Sequence, residues 1–557
     1  MSLFGKTCII KNSDEKLNVI AKLLQNRGID SHEKAQAFFG GKLADLHSPT
    51  LLMDMEKAAE RIKLAIRNKE KIMVFGDYDV DGITATALLY GFLKKVGADV
   101  FYTLPHREED GYGMKNYFIE QFKKDGIQLI VTVDCGTANL KEVELANSLG
   151  IEVVITDHHT IPKELPPALA IVNPKRADCP YPNKDICGSS IAYKLISQLA
   201  PDLMGEAEAK AYLDKQLGLV AMGVIGDCMP VKGENRILVR EGLKSLKAGD
   251  HEGVTALLNE AGIDLEKISS GVLAYQVSPR INASGRMDTP NHALDLLLGK
   301  LEKAVTLNEL NEQRKTMARQ FVGEAKAQIP DLMNPPNLIV VKSKNWRAGL
   351  LGLIASELVE QCGRPTIAMQ ERETEYVASM RSINDFDITG HLREKAGHLF
   401  SAFGGHTMAG GFSLPKENFE KFMEQIEIIS KNHVDPKHFG GSIAVECEIM
   451  PSEINFEMMG KMQLLEPFGS ENPEPKFLVK NAKILEIKSV GKNAEHLQIP
   501  IQIGDKNFRT IAFRFGPHLS KIDPKKLHDI VVHLETNVWN GNKRLQMRIV
   551  DLKPTAE

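Results

Sequence analysis

The chain has 557 residues, 43% hydrophobic and 25% charged, with a formal net charge of −4. At about 150 residues to a domain this is a folded multidomain protein, and the composition excludes a disordered or fibrous chain. No apolar run approaches the ~20 residues of a membrane helix, and the start MSLFGKTCII lacks the apolar core of a secretory signal. Seven scattered cysteines, none in a C-x-x-C pair, read as reduced thiols of a cytoplasmic protein. Residues 14–69 predict helices, from apolar positions at helical spacing through Leu17, Ile20, Leu23 and Leu24 and through Ala58, Ile62, Leu64 and Ile66. Short apolar runs then end on acidic or glycine residues. Lys71–Phe75, Leu129–Val133 and Val153–Thr156 predict strands, with helices at Ile83–Val96 and Asn139–Leu149 between them. This alternation predicts a parallel, doubly wound sheet, which binds ligands beyond the C-terminal ends of its strands. Residues 190–330 predict helices, closing with a long connector over Leu301–Ile329, and a second α/β unit runs from Asn337–Lys342 to about Phe439. From Ser442, alternating runs such as Leu497–Ile503, Phe508–Phe513, Ile530–Leu534 and Leu545–Val550 predict a small antiparallel barrel. From Lys476 onward, 15 Lys and Arg stand against 8 Asp and Glu, a net of +7 that leaves −11 to the rest. That split suits either a solvated basic face or a module that meets a polyanion.

The strand ends carry the chemistry. Phe75 is followed by Gly-Asp77-Tyr-Asp79-Val-Asp81, three carboxylates at alternate positions between a strand and a helix. Such a cluster is costly unless cations neutralise it. An EF-hand loop does not fit, because its twelfth position holds Leu88 instead of Glu. Val133 runs into Asp134-Cys-Gly, Thr156 into Asp157-His158-His159, and the apolar run Val224-Ile-Gly into Asp227. A lone Asp at a strand end is usually a helix cap, but three such motifs after separate strands point to a metal site. Converging on one sheet edge, these O and N donors suit Mn²⁺ or Mg²⁺, and a pair of such ions serves displacement at phosphorus. No G-x-x-x-x-G-K-[ST] phosphate loop is present, so no nucleotide cofactor is expected.

These residues resemble the DHH phosphoesterase superfamily and, within it, the RecJ family of single-strand-specific 5′→3′ DNA exonucleases. The likeness is carried by GDYDVDGITATALL (76–89), PHREEDGYG (105–113), VDCG (133–136), TDHH (156–159), GDCMPVKGENRILV (226–239) and PRINASGRMD (279–288). It continues through WRAGLLGLIASELVEQCGRP (346–365), SMRS (379–382), FGGHTMAGGF (403–412) and LEPFGSENPEPKF (465–477). The resemblance implies an N-terminal helical segment (1–70) packing on a DHH domain (71–300), a connector helix (301–335), a DHHA1 domain (336–440) and an OB-fold (441–557). It implies Asp79, Asp81, Asp134, His158 and Asp227 as ligands of two Mn²⁺ or Mg²⁺ ions, with Asp77 and Asp157 orienting them from behind and His159 facing the scissile phosphate. Arg107 would hold the 5′-terminal phosphate, a task that competes with an ion pair to Glu108 or Glu109. Arg280, Ser379, Arg381 and His406 would hold the DNA backbone between the two lobes. On the barrel, Lys506, Arg509, Arg514, Lys543, Arg544 and Arg548 are offered to phosphates. Trp539 could stack bases, while Phe513 reads more readily as interior filling. Phe75 stands where some relatives carry a ligating His, Arg347 where His is usual, Gly410 where Ala is usual, and Ser470-Glu471 replace a more glycine-rich pair. The implied activity is release of 5′-mononucleotides from single-stranded DNA in repair and recombination, alongside a helicase and a single-strand-binding protein. Two alternatives remain at this level. A DHH phosphatase or small-molecule phosphodiesterase would not need the basic barrel, and an inactive DNA-binding scaffold would be expected to lack ligands that are all present here.

Overall fold

Along Ile72–Phe75, Leu129–Val133 and Glu152–Thr156 nearly every residue is buried, the pattern of strands covered on both faces. In a computed structural model of the chain, Ile72, Val74, Leu129, Val131 and Val133 point into one apolar cluster. Met73, Phe75, Ile130, Val153 and Ile155 point into another on the opposite face. The structure describes residues 2–3, 5–384, 386–436, 439, 441–539 and 542–555, the side chains of 538, 539 and 542 excepted. The chain divides into two units, Gln36–Thr316 with Pro467–Pro473, and Met1–Ala35 with Met317–Glu466 and Glu474–Glu557.

The first unit is built on a five-stranded parallel sheet in the order Val100–Thr103, Ile72–Phe75, Leu129–Val133, Glu152–Thr156, Ala170–Val172. Phe75 pairs with Thr132, and Val133 with Thr156, so three adjacent strands stop at nearly the same level. Helices Met55–Asn68, Val80–Lys95, Gly188–Met204 and Glu206–Gly226 pack their buried faces into the larger cluster. Asp227 follows the 21-residue helix Glu206–Gly226 rather than a strand. Ten buried residues in that helix explain the continuous apolar run that resembles a strand in sequence.

Two segments sort differently from their place in the chain. The 1–70 stretch, expected as one helical piece on the DHH domain, divides between the units. Thr7–Ile10 is a strand paired in parallel with Ser442–Val445. Buried Glu446 secures the same segment, accepting a hydrogen bond from Asn26 and lying 3.3 Å from Arg27. Conversely, Pro467–Pro473 leaves the C-terminal region to join the first unit. There the Val231 N–H donates to the Ser470 carbonyl (2.8 Å) and Arg236 Nη1 donates to that of Pro467 (3.4 Å).

In the second unit a five-stranded mixed sheet runs Ala402–His406, Ala409–Pro415, Glu375–Arg381, Thr366–Glu371, Ile339–Ser343. The helix Lys303–Lys326 leads the chain toward it. Beyond it, Phe477–Ile484, Leu527–Trp539, Asn542–Pro554, Lys506–Ala512 and Ile501–Ile503 pair around a closed ring of five strands. Among the described residues no helix is long and apolar enough to cross a membrane.

Candidate metal centre

The aligned strand ends deliver Asp77, Asp134 and Asp157-His158 side by side. Asp134 takes a left-handed conformation (φ 62°), which Asp tolerates better than most residues, and its N–H donates to the Thr156 carbonyl of the next strand (3.0 Å). Asp79 caps the helix Val80–Lys95, its Oδ1 accepting from the N–H groups of Asp81 (2.9 Å) and Gly82 (3.2 Å). Asp81, one residue into that helix, is gripped by the start of another: the N–H groups of Gly188 (2.5 Å) and Ser189 (2.9 Å) donate to its two oxygens. A Cβ on Gly188 would lie 2.5 Å from Asp134 Cβ, and one on Gly223 would lie 2.5 Å from Asp81 Oδ1, so both positions need glycine for this approach. Sequence reasoning missed both glycines. The available signal was a glycine inside the otherwise strong helical run Leu217–Ile225.

His158 Nε2 lies 3.0 Å from Asp134 Oδ1, 3.5 Å from Asp227 Oδ2 and 3.8 Å from Asp81 Oδ2. Three overlapping sets, Asp77 with Asp79 and Asp134, Asp81 with His158 and Asp227, and Asp134 with His158 and His159, each hold ligand atoms within 4.8 Å of one another. Asp77 Oδ1, Asp134 Oδ1, Asp227 Oδ2 and both ring nitrogens of His158 are buried without a hydrogen-bond partner. Buried polar atoms are normally paired, so this concentration of open lone pairs fits divalent cations. Electrostatics agree. Burial, then the Asp79 charge, pushes Asp77 up to about 8; burial, then the Asp81 charge, pushes Asp227 up to about 8. Burial and the Asp81 charge likewise raise Asp79 and Asp134, and burial lowers His158 to about 4. A cation would reverse the penalty on each carboxylate, and the neutral His158 that burial favours is the form that ligates a metal.

Asp77 and Asp157, expected to act alike, differ. Asp77 keeps an open oxygen and shares a ligand set, whereas Asp157 is saturated. Asp157 accepts from the N–H groups of Thr137 (2.9 Å), His158 (2.7 Å) and His159 (3.1 Å), and lies 2.8 Å from His159 Nδ1. Burial opposes the charged form of His159, but Asp157 outweighs it and raises His159 to about 9. The Tyr112 hydroxyl lies 3.0 Å from the same Nδ1, and Asn173 Nδ2 donates to the His159 carbonyl (3.0 Å). Neither residue was singled out in sequence, although Tyr112 lies within PHREEDGYG, because each acts by holding His159. Phe75, the position of a ligating His elsewhere, is fully buried against Phe118 and Phe122, at centroid distances of 5.4 and 6.5 Å.

Arg107 lies with its guanidinium carbon 4.5 Å from the centroid of the Tyr78 ring. Arg280 is buried, donating to Asn308 Oδ1 (3.0 Å) and the Gln276 carbonyl (2.7 Å). In the second unit, Arg381 Nη1 donates to Ser379 Oγ (3.2 Å). Arg381 pairs with Ala409, which pairs in turn with His406, so these three residues share one end of the mixed sheet. On the barrel, Lys506, Arg509, Arg514, Lys543 and Arg544 are exposed. Arg548 is taken up by Glu535 (2.5 Å) and Glu474 (2.6 Å). Phe513 does not fill the interior; it is 50% exposed beside His496. The side chain of Trp539 lies outside the described residues.

Family models describe matching regions in chain order: the DHH family N-terminal domain over residues 71–224, the DHHA1 domain over 336–432 and the RecJ OB domain over 445–551. The single-stranded-DNA-specific exonuclease RecJ of Haemophilus influenzae is 32% identical, over 92% of this chain and 93% of its own length. The chain belongs to the RecJ family. RecJ of Escherichia coli is 31% identical over 96% of each chain, and RecJ of Bacillus subtilis 34% identical over 97% of this chain and 69% of its own. The crystal structure of RecJ from Thermus thermophilus in complex with Mn²⁺ superposes with a TM-score of 0.81 at 28% identity, covering 97% of this chain and 76% of that one. Its complex with Mg²⁺ superposes at 0.75 and 27% identity, over 97% and 75%. The DHH, DHHA1 and OB architecture of this RecJ-family chain thus rests on sequence and structure together.

Proposed function

We propose that this RecJ-family chain is a metal-dependent exonuclease that degrades single-stranded DNA from its 5′ end. The observation that carries the reading is the set of buried, unpartnered oxygens and nitrogens on Asp77, Asp134, His158 and Asp227, at strand and helix ends in the first unit. Asp79, Asp81, Asp134, His158 and Asp227 would hold two Mn²⁺ or Mg²⁺ ions, which supply Lewis-acid charge neutralisation at the phosphodiester and make water a better nucleophile. The reaction is hydrolysis: the oxygen of water adds to phosphorus, the bond from phosphorus to the terminal nucleotide's O3′ breaks, and O3′ leaves with a proton. His159, held through Nδ1 by Asp157 and Tyr112, keeps Nε2 to donate toward the phosphate oxygens. The new phosphate remains on the shortened strand. Each turnover therefore regenerates a 5′-phosphate for Arg107, whose planar fork suits a bidentate grip.

Arg280, Ser379, Arg381 and His406 would hold the backbone of the strand. The exposed barrel residues Lys506, Arg509, Arg514, Lys543 and Arg544 would collect it, with Trp539 as a base-stacking residue. The same reading places the protein in cytoplasmic DNA repair and recombination, with a helicase and a single-strand-binding protein delivering its substrate. The test is digestion of 5′-labelled single-stranded DNA by the full chain with and without Mn²⁺, beside a duplex and a dinucleotide. Wild type should release mononucleotides from the single strand only with metal, and Asp79→Ala should abolish release. Residual activity within about tenfold of wild type, ~1.4 kcal/mol of barrier, overturns the metal assignment. Preference for the dinucleotide would instead identify a small-molecule phosphodiesterase.

A further inference from the structure

Tyr78 sits between two of the clustered carboxylates, Asp77 and Asp79, and its carbonyl passes close to the helix Ser278–Met287. A Cβ built on Gly285, in the helix Ser278–Met287, would lie only 3.1 Å from the Tyr78 carbonyl oxygen. The ring is half-buried and lies beneath the guanidinium of Arg107, 4.5 Å from centroid to carbon. Arg107 itself comes from a turn closed by its own backbone: the Asp110 N–H donates to the His106 carbonyl (2.9 Å), and the Gly111 N–H to the same oxygen (3.2 Å). Two anchored loops thus meet through one cation–ring contact.

That contact suits a receptor for a terminal phosphate. A free arginine side chain carries rotamer entropy that a ligand must otherwise overcome. A ring 4.5 Å from the guanidinium carbon restrains the side chain, and the planar fork it holds in place suits bidentate oxygens. We propose that Tyr78 is the positioning residue that holds Arg107 ready to read the 5′-phosphate, and so sets the preference for phosphorylated ends. This rests on the reading of Arg107 given above, and it extends to a residue that touches no phosphate itself.

The experiment measures kcat and KM of the full chain, with Mn²⁺, on 5′-phosphorylated and 5′-hydroxyl single strands. The variants are Tyr78→Phe, Tyr78→Leu, Arg107→Ala and the double variant Tyr78→Leu/Arg107→Ala. A series of ring-fluorinated phenylalanines at position 78 weakens the cation–ring attraction at nearly constant shape, so the question stays open to an answer even where leucine is poorly folded. Tyr78→Phe should keep the phosphate preference. Tyr78→Leu should cut it about fivefold, mainly through KM, the factor that ~1 kcal/mol of cation–π attraction supplies. The preference should decline stepwise with fluorination, and Tyr78→Leu should have no further effect on it once Arg107 is Ala. A preference lost in Arg107→Ala but kept in Tyr78→Leu and across the fluorinated series overturns the role of Tyr78 alone. A preference that survives Arg107→Ala overturns the reading of Arg107 and this inference with it.

Discussion

Gly188→Ala is a one-methyl change that addresses the geometry of the centre rather than its ligands. The added Cβ would sit 2.5 Å from Asp134 Cβ and 2.8 Å from its Cγ and Oδ1, all closer than the ~3.4 Å at which ordinary contact begins. Something must move by roughly 0.9 Å. Gly188 opens the helix Gly188–Met204 and its N–H holds Asp81, while Asp134 is fixed by a left-handed backbone and a strand-end hydrogen bond. Neither partner yields without disturbing a carboxylate of the centre. Overpacking of this kind costs about 1–3 kcal/mol of stability, an amount a chain of this size tolerates. Activity is more sensitive, since displacement of a catalytic group by about 1 Å costs on the order of a hundredfold. The assay is kcat on 5′-labelled single-stranded DNA at saturating Mn²⁺, with a thermal melt of the same preparation and Mn²⁺ binding followed by electron paramagnetic resonance. The expected result is a folded protein with kcat down about a hundredfold and weakened Mn²⁺ binding. A folded Gly188→Ala protein within threefold of wild type on the roughly 0.7 kcal/mol scale that factor represents would refute the claim that the close approach of Gly188 sets the position of Asp134.

Asp134→Asn keeps the shape and tolerates the left-handed backbone while removing one charge from the cluster, so in EDTA it should melt higher than wild type and with Mn²⁺ lower; a parallel shift in both buffers would show that repulsion is not the cause. Burial, then the charges of Arg548 and Lys476, depresses His533 to about 4, and its Nδ1 lies 2.9 Å from the Pro475 carbonyl. The unfolded chain takes up that proton near 6.5, so the stabilisation is complete above that pH and is lost as pH falls toward 4, by on the order of 3 kcal/mol. Melting of wild type should decline over this window more steeply than that of His533→Gln, and identical profiles would exclude the assignment. Truncation after Phe439 should flatten the salt dependence of binding to long single strands, by a slope of ~0.7 for each phosphate that is no longer neutralised. Because Pro467–Pro473 leaves with the barrel, the first unit should also lose about 1–3 kcal/mol, as its hydrogen bonds to Val231 and Arg236 go; an unchanged melt of that unit would show the segment to be dispensable.

What the amino-acid sequence determined by itself was whatever is encoded locally. Continuous apolar runs mark strands covered on both faces, and each ends on an acidic motif, so Asp77, Asp79, Asp81, Asp134 and Asp157-His158-His159 were legible as one candidate metal-binding edge. The alternating runs after Ser442 were legible as a barrel for the same reason, since period-two burial is written in neighbouring residues. Tertiary structure decided what depends on approach across the chain. Asp227 comes from a helix end, because a helix buried all round has the same apolar composition as a buried strand. Gly188, Ser189 and Gly223 matter through backbone placed against Asp81 and Asp134, more than 30 residues away, and no local pattern records such an approach. Thr7–Ile10 and Pro467–Pro473 join the unit that satisfies their backbone groups, and the one nearer in sequence has no claim on them. The ring of Tyr78 lies under Arg107 only because two strand-end loops, 29 residues apart, meet on the same edge of the sheet.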